Sequence, residues 1–184
     1  GEIRRVERLL ADGEPLGKSG EEVRILPLFG DLPREAQDEA IRPSVPGHRK
    51  VVLATNIAET SLTIEGVRVV IDGGLERRAG FDPGSGMSRL ETVAISRASA
   101  DQRRGRAGRT APGVCYRLWS ESAHASLSAQ ADPEILEADL APLALELACW
   151  GASDPQSLAW LDPPPLATLT QAKELLHRLE AIDE

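Results

Sequence analysis

Apolar positions change their spacing several times along the chain, and each change marks an element. Ile3, Val6, Leu9 and Leu10 recur at helical spacing, and Gly13 closes that helix. Residues 22–28 (EVRILPL) read as a strand. Pro33 suits the first turn of a helix that runs to about Ile41 and ends before Pro43. Residues 50–55 (KVVLAT) and 67–72 (VRVVID) are short apolar runs of the kind found in strands buried on both faces. Between residues 76 and 95, Asp82-Pro83-Gly84-Ser85-Gly86 is a turn signal separating two strands, which predicts a projecting hairpin. Ser99 with Gln102 three residues later matches a capping box, so a helix is predicted to begin at about Ala100. Residues 113–119 (GVCYRLW) form a further strand.

Strands alternating with helices predict an α/β fold, a parallel sheet flanked by helices and carrying the hairpin. The character changes after about residue 130. Residues 133–150 and 166–182 have a helical period, the stretch 151–165 is rich in Pro, Ser and Asp, and no strand pattern appears. The domain boundary is therefore expected between residues 126 and 133, giving units 1–130 and 131–184.

Charge sharpens that division. The chain has 184 residues and a net charge of −8. Residues 1–130 carry 19 basic and 18 acidic side chains, whereas residues 131–184 carry 2 and 11. Two units with different roles fit this asymmetry. Within the first, Arg97, Arg103, Arg104, Arg106 and Arg109 face a single acid, Asp101. Local charge, not the total, decides whether a phosphate can be held.

Other features exclude more than they assign. Aromatics are only 3% of the chain, so the core must rest on Leu, Val, Ile and Ala. No apolar run approaches the roughly 20 residues needed to span a bilayer, and the longest, 140–150, is interrupted by Glu146. Cys115 and Cys149 lie far apart without a CxxC or a histidine partner, so no metal site is expected. Two lone cysteines suit a reducing cytoplasm and read as small packing residues. His48, His124 and His177 show no partner pattern and read as structural.

Two stretches carry candidate chemistry. In Gln102-Arg103-Arg104-Gly105-Arg106-Ala107-Gly108-Arg109, a helix would put Gln102, Arg106 and Arg109 at i, i+4 and i+7, on one face. Its two glycines cost about 1 kcal/mol each relative to Ala, which points to close approach by a backbone or a ligand. Arginines on such a face suit polyphosphate oxygens, because the planar guanidinium binds them bidentately and stays charged. The alternative is a solvated basic helix paired with neighbouring acids, and the glycine spacing weighs against it. The second stretch runs from Ala54 to Ile64 (ATNIAETSLTI). A strand ends at Thr55 and a short helix opens at Asn56, with Glu59 three residues on as a capping partner. Thr55, Asn56, Thr60, Ser61 and Thr63 gather hydroxyls and amides where ligands bind open α/β sheets, outside the carboxyl ends of strands.

Taken together, these stretches resemble the DEAH-box RNA helicases. ATNIAETSLTIEG is similar to motif V of that family and QRRGRAGR to motif VI, with Asp72 and Gly73 at the usual interval. Residues 26–30 (LPLFG), 46–50 (PGHRK) and 162–165 (DPPP) extend the likeness along nearly the whole chain, and Cys149-Trp150-Gly151 resembles the bacterial HrpB-like branch. The resemblance implies the second of two RecA-like lobes over residues 1–130, its first strand lying upstream, and the start of a winged-helix domain over 131–184. It implies that Arg106 and Arg109 act as arginine fingers, worth roughly 10³–10⁵ in rate in comparable enzymes, and that Gln102 positions the attacking water. Ser61 and Thr63 would lie near ATP and its Mg2+, and Glu65, where the family more often has Asp, near the sugar. Thr55, Asn56, Gly30 and Thr60 would face RNA. Residues 76–95 would be the hairpin that lies at the strand junction.

Neither a G-x-x-x-x-G-K-[ST] loop nor a DEAH box occurs in these residues. In the family both belong to the first RecA-like lobe, which would hold most of the ATP and Mg2+. The chain is thus read as part of a longer protein, inactive by itself, with RNA and that first lobe as partners. Two other readings share these motifs: a lobe that binds RNA or protein without turnover, and an ATPase acting on DNA or proteins.

Overall fold

The computed structural model describes the whole chain except residues 14, 15, 18–20, 60, 61, 83, 153 and 184. Two compact units emerge, residues 1–76 with 94–130, and residues 77–93 with 131–184.

The first unit is built from parallel strands and covering helices. Helix α1 (Glu2–Asp12) ends at Gly13, as its apolar spacing predicts. Strands β1 (Val23–Leu28) and β2 (Arg49–Ala54) pair in parallel, Val23 opposite Arg49 and Leu28 opposite Ala54. Helix α2 (Arg34–Ile41) crosses between them. Its C-terminal carbonyls are met by the Lys50 ammonium, which donates to Ala40 O at 2.7 Å and Arg42 O at 2.6 Å. A cation there balances the negative end of the helix dipole. A second parallel pair joins β3 (Val69–Asp72) to β6 (Val114–Arg117), Asp72 opposite Arg117. Alternation along this pair leaves Val69, Ile71, Val114 and Tyr116 exposed. Helix α3 (Arg97–Gly105) packs against β3, and α4 (Glu121–Ser126) is capped by the Ser120 hydroxyl, which accepts from Ala123 N–H.

The hairpin has the limits its turn residues suggest, β4 (Leu75–Asp82) and β5 (Met87–Ala94). In the second unit Arg78 donates to the Glu137 carboxylate at 3.2 Å, and Phe81 N–H to Glu137 O at 3.1 Å. Those bonds tie β4 to the C-terminal segment. Helices α5 (Ala141–Cys149) and α6 (Leu166–Arg178) enclose an apolar core of Leu140, Ala144, Leu169, Ala172 and Leu176. The predicted helix over 133–150 is divided. A 3-10 turn (Glu134–Leu136) comes first, and α5 starts only after the Asp139 carboxylate accepts from Ala141 N–H at 2.9 Å. Aspartate at that position competes for the backbone and restarts the helix.

Candidate functional site

Parallel pairing places the carboxyl ends of β1 and β2 side by side, because Leu28 and Ala54 are register partners. The chain continues as exposed Gly30 on one side and exposed Thr55 and Asn56 on the other. Thr55 N–H extends the ladder by donating to Leu28 O at 3.2 Å. Gln37 pins the loop after β1 by donating to Gly30 O and Leu32 O at 3.2 and 2.8 Å. Three of the four residues that the resemblance directs toward RNA, Gly30, Thr55 and Asn56, thus share one edge of one strand pair.

The short helix predicted at Asn56 is a single 3-10 turn (Asn56–Ala58), and its flanking Thr55 makes no side-chain cap bond. Glu59 does not cap it either. Its carboxylate is buried and paired with Arg103, Arg103 Nε donating to Glu59 Oε2 at 2.9 Å. A three-residue turn offers too few free N–H groups to need a carboxylate cap, whereas a buried guanidinium demands one.

Helix α3 also departs from its predicted start. It begins at Arg97, one turn before the expected Ala100, and is capped by Ser96, whose hydroxyl accepts from Ser99 N–H at 3.1 Å. Ser99 and Gln102 therefore form no capping box. Free N–H groups of the first turn, on Arg97 and Ala98, donate to Ser128 O and Ala129 O at 2.9 and 3.1 Å. The helix ends at Gly105. Arg106, Ala107 and Gly108 continue with i→i−3 bonds to Arg103, Arg104 and Gly105, the tighter geometry common at helix ends. Gln102, Gly105, Arg106 and Arg109 nevertheless line one shallow groove of about 400 Å³. The predicted stripe survives as a surface although its second half is not α-helical.

The glycines divide in an unexpected way. A Cβ at Gly105 or Gly108 would meet nothing within 4 Å, so no backbone approaches them. The close approach belongs to Gly113, where a Cβ would stand 2.0 Å from Ala107 O. Gly113 lets the end of QRRGRAGR lie against the start of β6.

Three arginines in this stretch have three different surroundings. Arg103 is the most enclosed, its side chain 16% exposed. It donates to Glu59, to Asp72 Oδ1 at 3.0 Å and to Leu75 O at 3.2 Å, and it lies 4.0 Å from Glu76. Arg106 donates to Leu62 O at 2.9 Å and to Glu59 O. Arg109 donates to the Thr63 hydroxyl at 2.6 Å. Arg106 and Arg109 thus reach residues 59–63, the stretch following the carboxyl end of β2, through neutral oxygens. Among the described residues neither forms a salt bridge.

Electrostatics follow those partners. For Arg103, burial alone would lower the pKa, but the bonds to Glu59 and the charge of Asp72 outweigh it and hold it above the ordinary value. For Arg106 the balance reverses: burial and then the neighbouring Arg109 charge hold its pKa below the ordinary value, with Glu59 opposing. Two adjacent cations with no anion bonded to either favour an incoming polyanion.

Of the residues singled out by sequence, Arg106, Arg109, Gln102 and Thr63 come together, and Gly30, Thr55 and Asn56 form a second group. Glu65 is exposed and lines no part of the groove. Thr60 and Ser61 lie outside the described residues. Arg103, to which the sequence pattern assigns no ligand, is the centre of a buried ion cluster. Helical spacing does not set it apart, since Arg103 and Arg106 are neighbours three residues apart; its bond to Asp72 at the end of β3 does. Asp72 completes that cluster at the end of its strand, 4% exposed.

Parallel strands with covering helices define an α/β lobe, and the chain belongs to the helicase conserved C-terminal domain family, whose model matches residues 3–111. It is 49% identical over 183 residues to the ATP-dependent RNA helicase HrpB of Escherichia coli (strain K12), covering 100% of this chain and 22% of that protein. It is 45% identical over 179 residues to the pre-mRNA-splicing factor ATP-dependent RNA helicase prp22 of Schizosaccharomyces pombe (strain 972 / ATCC 24843), covering 97% and 15%. A crystal structure of the Escherichia coli DEAH/RHA helicase HrpB superimposes with a TM-score of 0.90 at 49% identity, over 100% of this chain and 23% of that one. The chain therefore spans about a fifth of the length of the bacterial relative it matches. No helix among the described residues is long and apolar enough to cross a membrane.

Proposed function

We propose that this chain is the second motor lobe of an ATP-dependent RNA helicase, and that it supplies Arg106 and Arg109 to ATP hydrolysis. The observation that carries the reading is that both guanidinium groups sit beside one groove, held by neutral oxygens, with their charges uncancelled. A polyphosphate fits such a place and a carboxylate-saturated one would not suit it. Arg106 and Arg109 stabilise charge developing on the terminal phosphoryl group, at the moment when it is largest. Gln102, on the same groove, orients the attacking water. Thr63 holds Arg109 in place, and roles toward the nucleotide and its sugar are proposed for Ser61, Thr63 and Glu65.

ATP with Mg2+ supplies the phosphoryl group, and most of its binding falls to a first RecA-like lobe of the same protein, the lobe's expected partner. The second group of residues, Gly30, Thr55 and Asn56, contacts the RNA backbone, and the same role is proposed for Thr60. Contacts of that kind carry no base preference. Residues 1–130 form the lobe and 131–184 open a winged-helix domain.

The test uses the full-length protein. Arg106→Ala and Arg109→Ala are each expected to lower RNA-stimulated ATP turnover by about 10³-fold or more while RNA affinity holds. Near-normal turnover in both sinks the assignment. Replacing Thr55 and Asn56 together is expected to weaken RNA binding, and unchanged affinity removes them from the RNA site.

A further inference from the structure

Glu59 is gripped twice. Its carboxylate accepts from Arg103 and its main-chain carbonyl from Arg106. Arg103 in turn holds Asp72 at the end of β3, Leu75 O at the first residue of β4, and lies within ion-pair distance of Glu76 one residue on. One guanidinium therefore joins the stretch after β2 to the end of β3 and to the root of the hairpin, which follows β3 after Gly73 and Gly74. Few other residue types could do this, since only a planar fork with five N–H groups serves so many acceptors at once. The cluster is also poorly solvated, with the Asp72 side chain 1% and that of Glu76 12% exposed. In such surroundings a shift of one member is felt by the rest, because water cannot compensate for a lost partner.

We infer that Arg103 is a positioning residue that couples the root of the hairpin to the placement of Arg106, so that a displacement at Leu75 and Glu76 alters ATP turnover. This rests on the reading of Arg106 as a finger. Movement of β4 pulls on the Arg103 fork, the fork carries Glu59 with it, and the Glu59 carbonyl carries the Arg106 guanidinium. A displacement of about 1 Å at a catalytic group costs on the order of 100-fold in rate. Small changes at the hairpin root are enough.

The experiment measures kcat and KM for ATP, with and without RNA, in the full-length protein and three variants. Arg103→Lys keeps the charge and loses the fork. It is expected to lower kcat with RNA by roughly 100-fold while KM stays nearly constant, the signature of an interaction that matters in the transition state. Glu76→Gln leaves the bonds to Glu59 and Asp72 intact, so it serves even if Arg103→Lys fails to fold. It is expected to reduce the ratio of RNA-stimulated to basal turnover by about fivefold or more. A folded Arg103→Lys protein with unchanged kcat, or an unchanged stimulation ratio in Glu76→Gln, overturns the inference. Arg106→Ala run in parallel separates the two readings. If it turns over normally the finger assignment has failed, and if it is inactive while the other variants behave as the parent, only the coupling has failed.

Discussion

The two halves of QRRGRAGR solve opposite electrostatic problems within eight residues. Arg103, on the helical half, is surrounded by carboxylates from three segments, and its charge is cancelled where it stands. Among the described residues Arg106 and Arg109, on the half beyond the end of α3, bond only to carbonyl and hydroxyl oxygens. A charge that is cancelled internally holds a fold together and has nothing left to offer a ligand. One that is held by dipoles is oriented without being neutralised. The same side chain is thus neutralised in one place and left charged in the other, and the identity of its acceptors decides which.

The sharpest way to break this comparison is to remove each charge and ask what is lost. Arg103→Met strands Glu59 and Asp72 as buried anions without a partner. Breaking a buried pair in this way costs about 3–5 kcal/mol. That loss is expected in the free energy for local opening of α3, read by native-state hydrogen exchange over residues 97–107 of the full-length protein. Arg106→Met removes bonds to neutral oxygens, worth only about 1–2 kcal/mol. Equal losses in the two variants would show that the arginines are not distinguished by their acceptors.

Glycines give the next largest contrast. Gly113→Ala drives a methyl group into the Ala107 carbonyl, 2.0 Å from the ideal Cβ. Backbone cannot rotate away as a side chain can, so a cost of about 1–3 kcal/mol is expected, again by hydrogen exchange of α3 and β6. Gly105→Ala meets open space and leaves stability unchanged or improves it by less than about 1 kcal/mol. Its methyl group stands in the groove beside Arg106, so KM for ATP is expected to rise. A stable Gly113→Ala protein would mean that Ala107 does not lie against β6 in solution.

Much of this was readable beforehand, and the part that was not has a common cause. Strand positions follow local patterns, short apolar runs within 50–55 and 67–72 and the turn at Asp82, so the sequence pattern found them. The groove was found too, because Gln102, Arg106 and Arg109 keep their relative spacing even where the α-helix stops. The start of α3 was missed because Ser96 and Ser99 are equally good caps by sequence. The choice between them is made by Ser128 and Ala129, whose carbonyls take up the first-turn N–H groups from about thirty residues away. The surroundings of Arg103 and Gly113 were not legible for the same reason. Their partners, Glu59 and Asp72 for one and Ala107 for the other, are brought in by the tertiary fold. The family of the chain was legible from two motifs, whereas the cancellation of one arginine and not the next was visible only in three dimensions.

The smallest effect completes the series by placing a paired arginine at the surface. Asp101 accepts from Arg117 at 2.7 Å and lies 3.5 Å from Arg104, with its side chain 54% exposed. The Arg117 bond, aided by the charges of Arg104, Arg117 and His124 and opposed by slight burial, holds the Asp101 carboxyl below the usual carboxylate range. A carboxylate whose pKa is lowered by folding stabilises the folded state fully above its unfolded value of about 3.9. The contribution fades as pH falls through the lower folded value, where both states are protonated. Solvent screening limits it to less than about 1 kcal/mol. Asp101→Asn is therefore expected to lower the melting midpoint slightly at pH 7, with the difference shrinking below pH 4 and in high salt. A difference as large as that of Arg103→Met, or one that persists in acid, would mean that this exposed pair is buried in the full-length protein and belongs with Arg103.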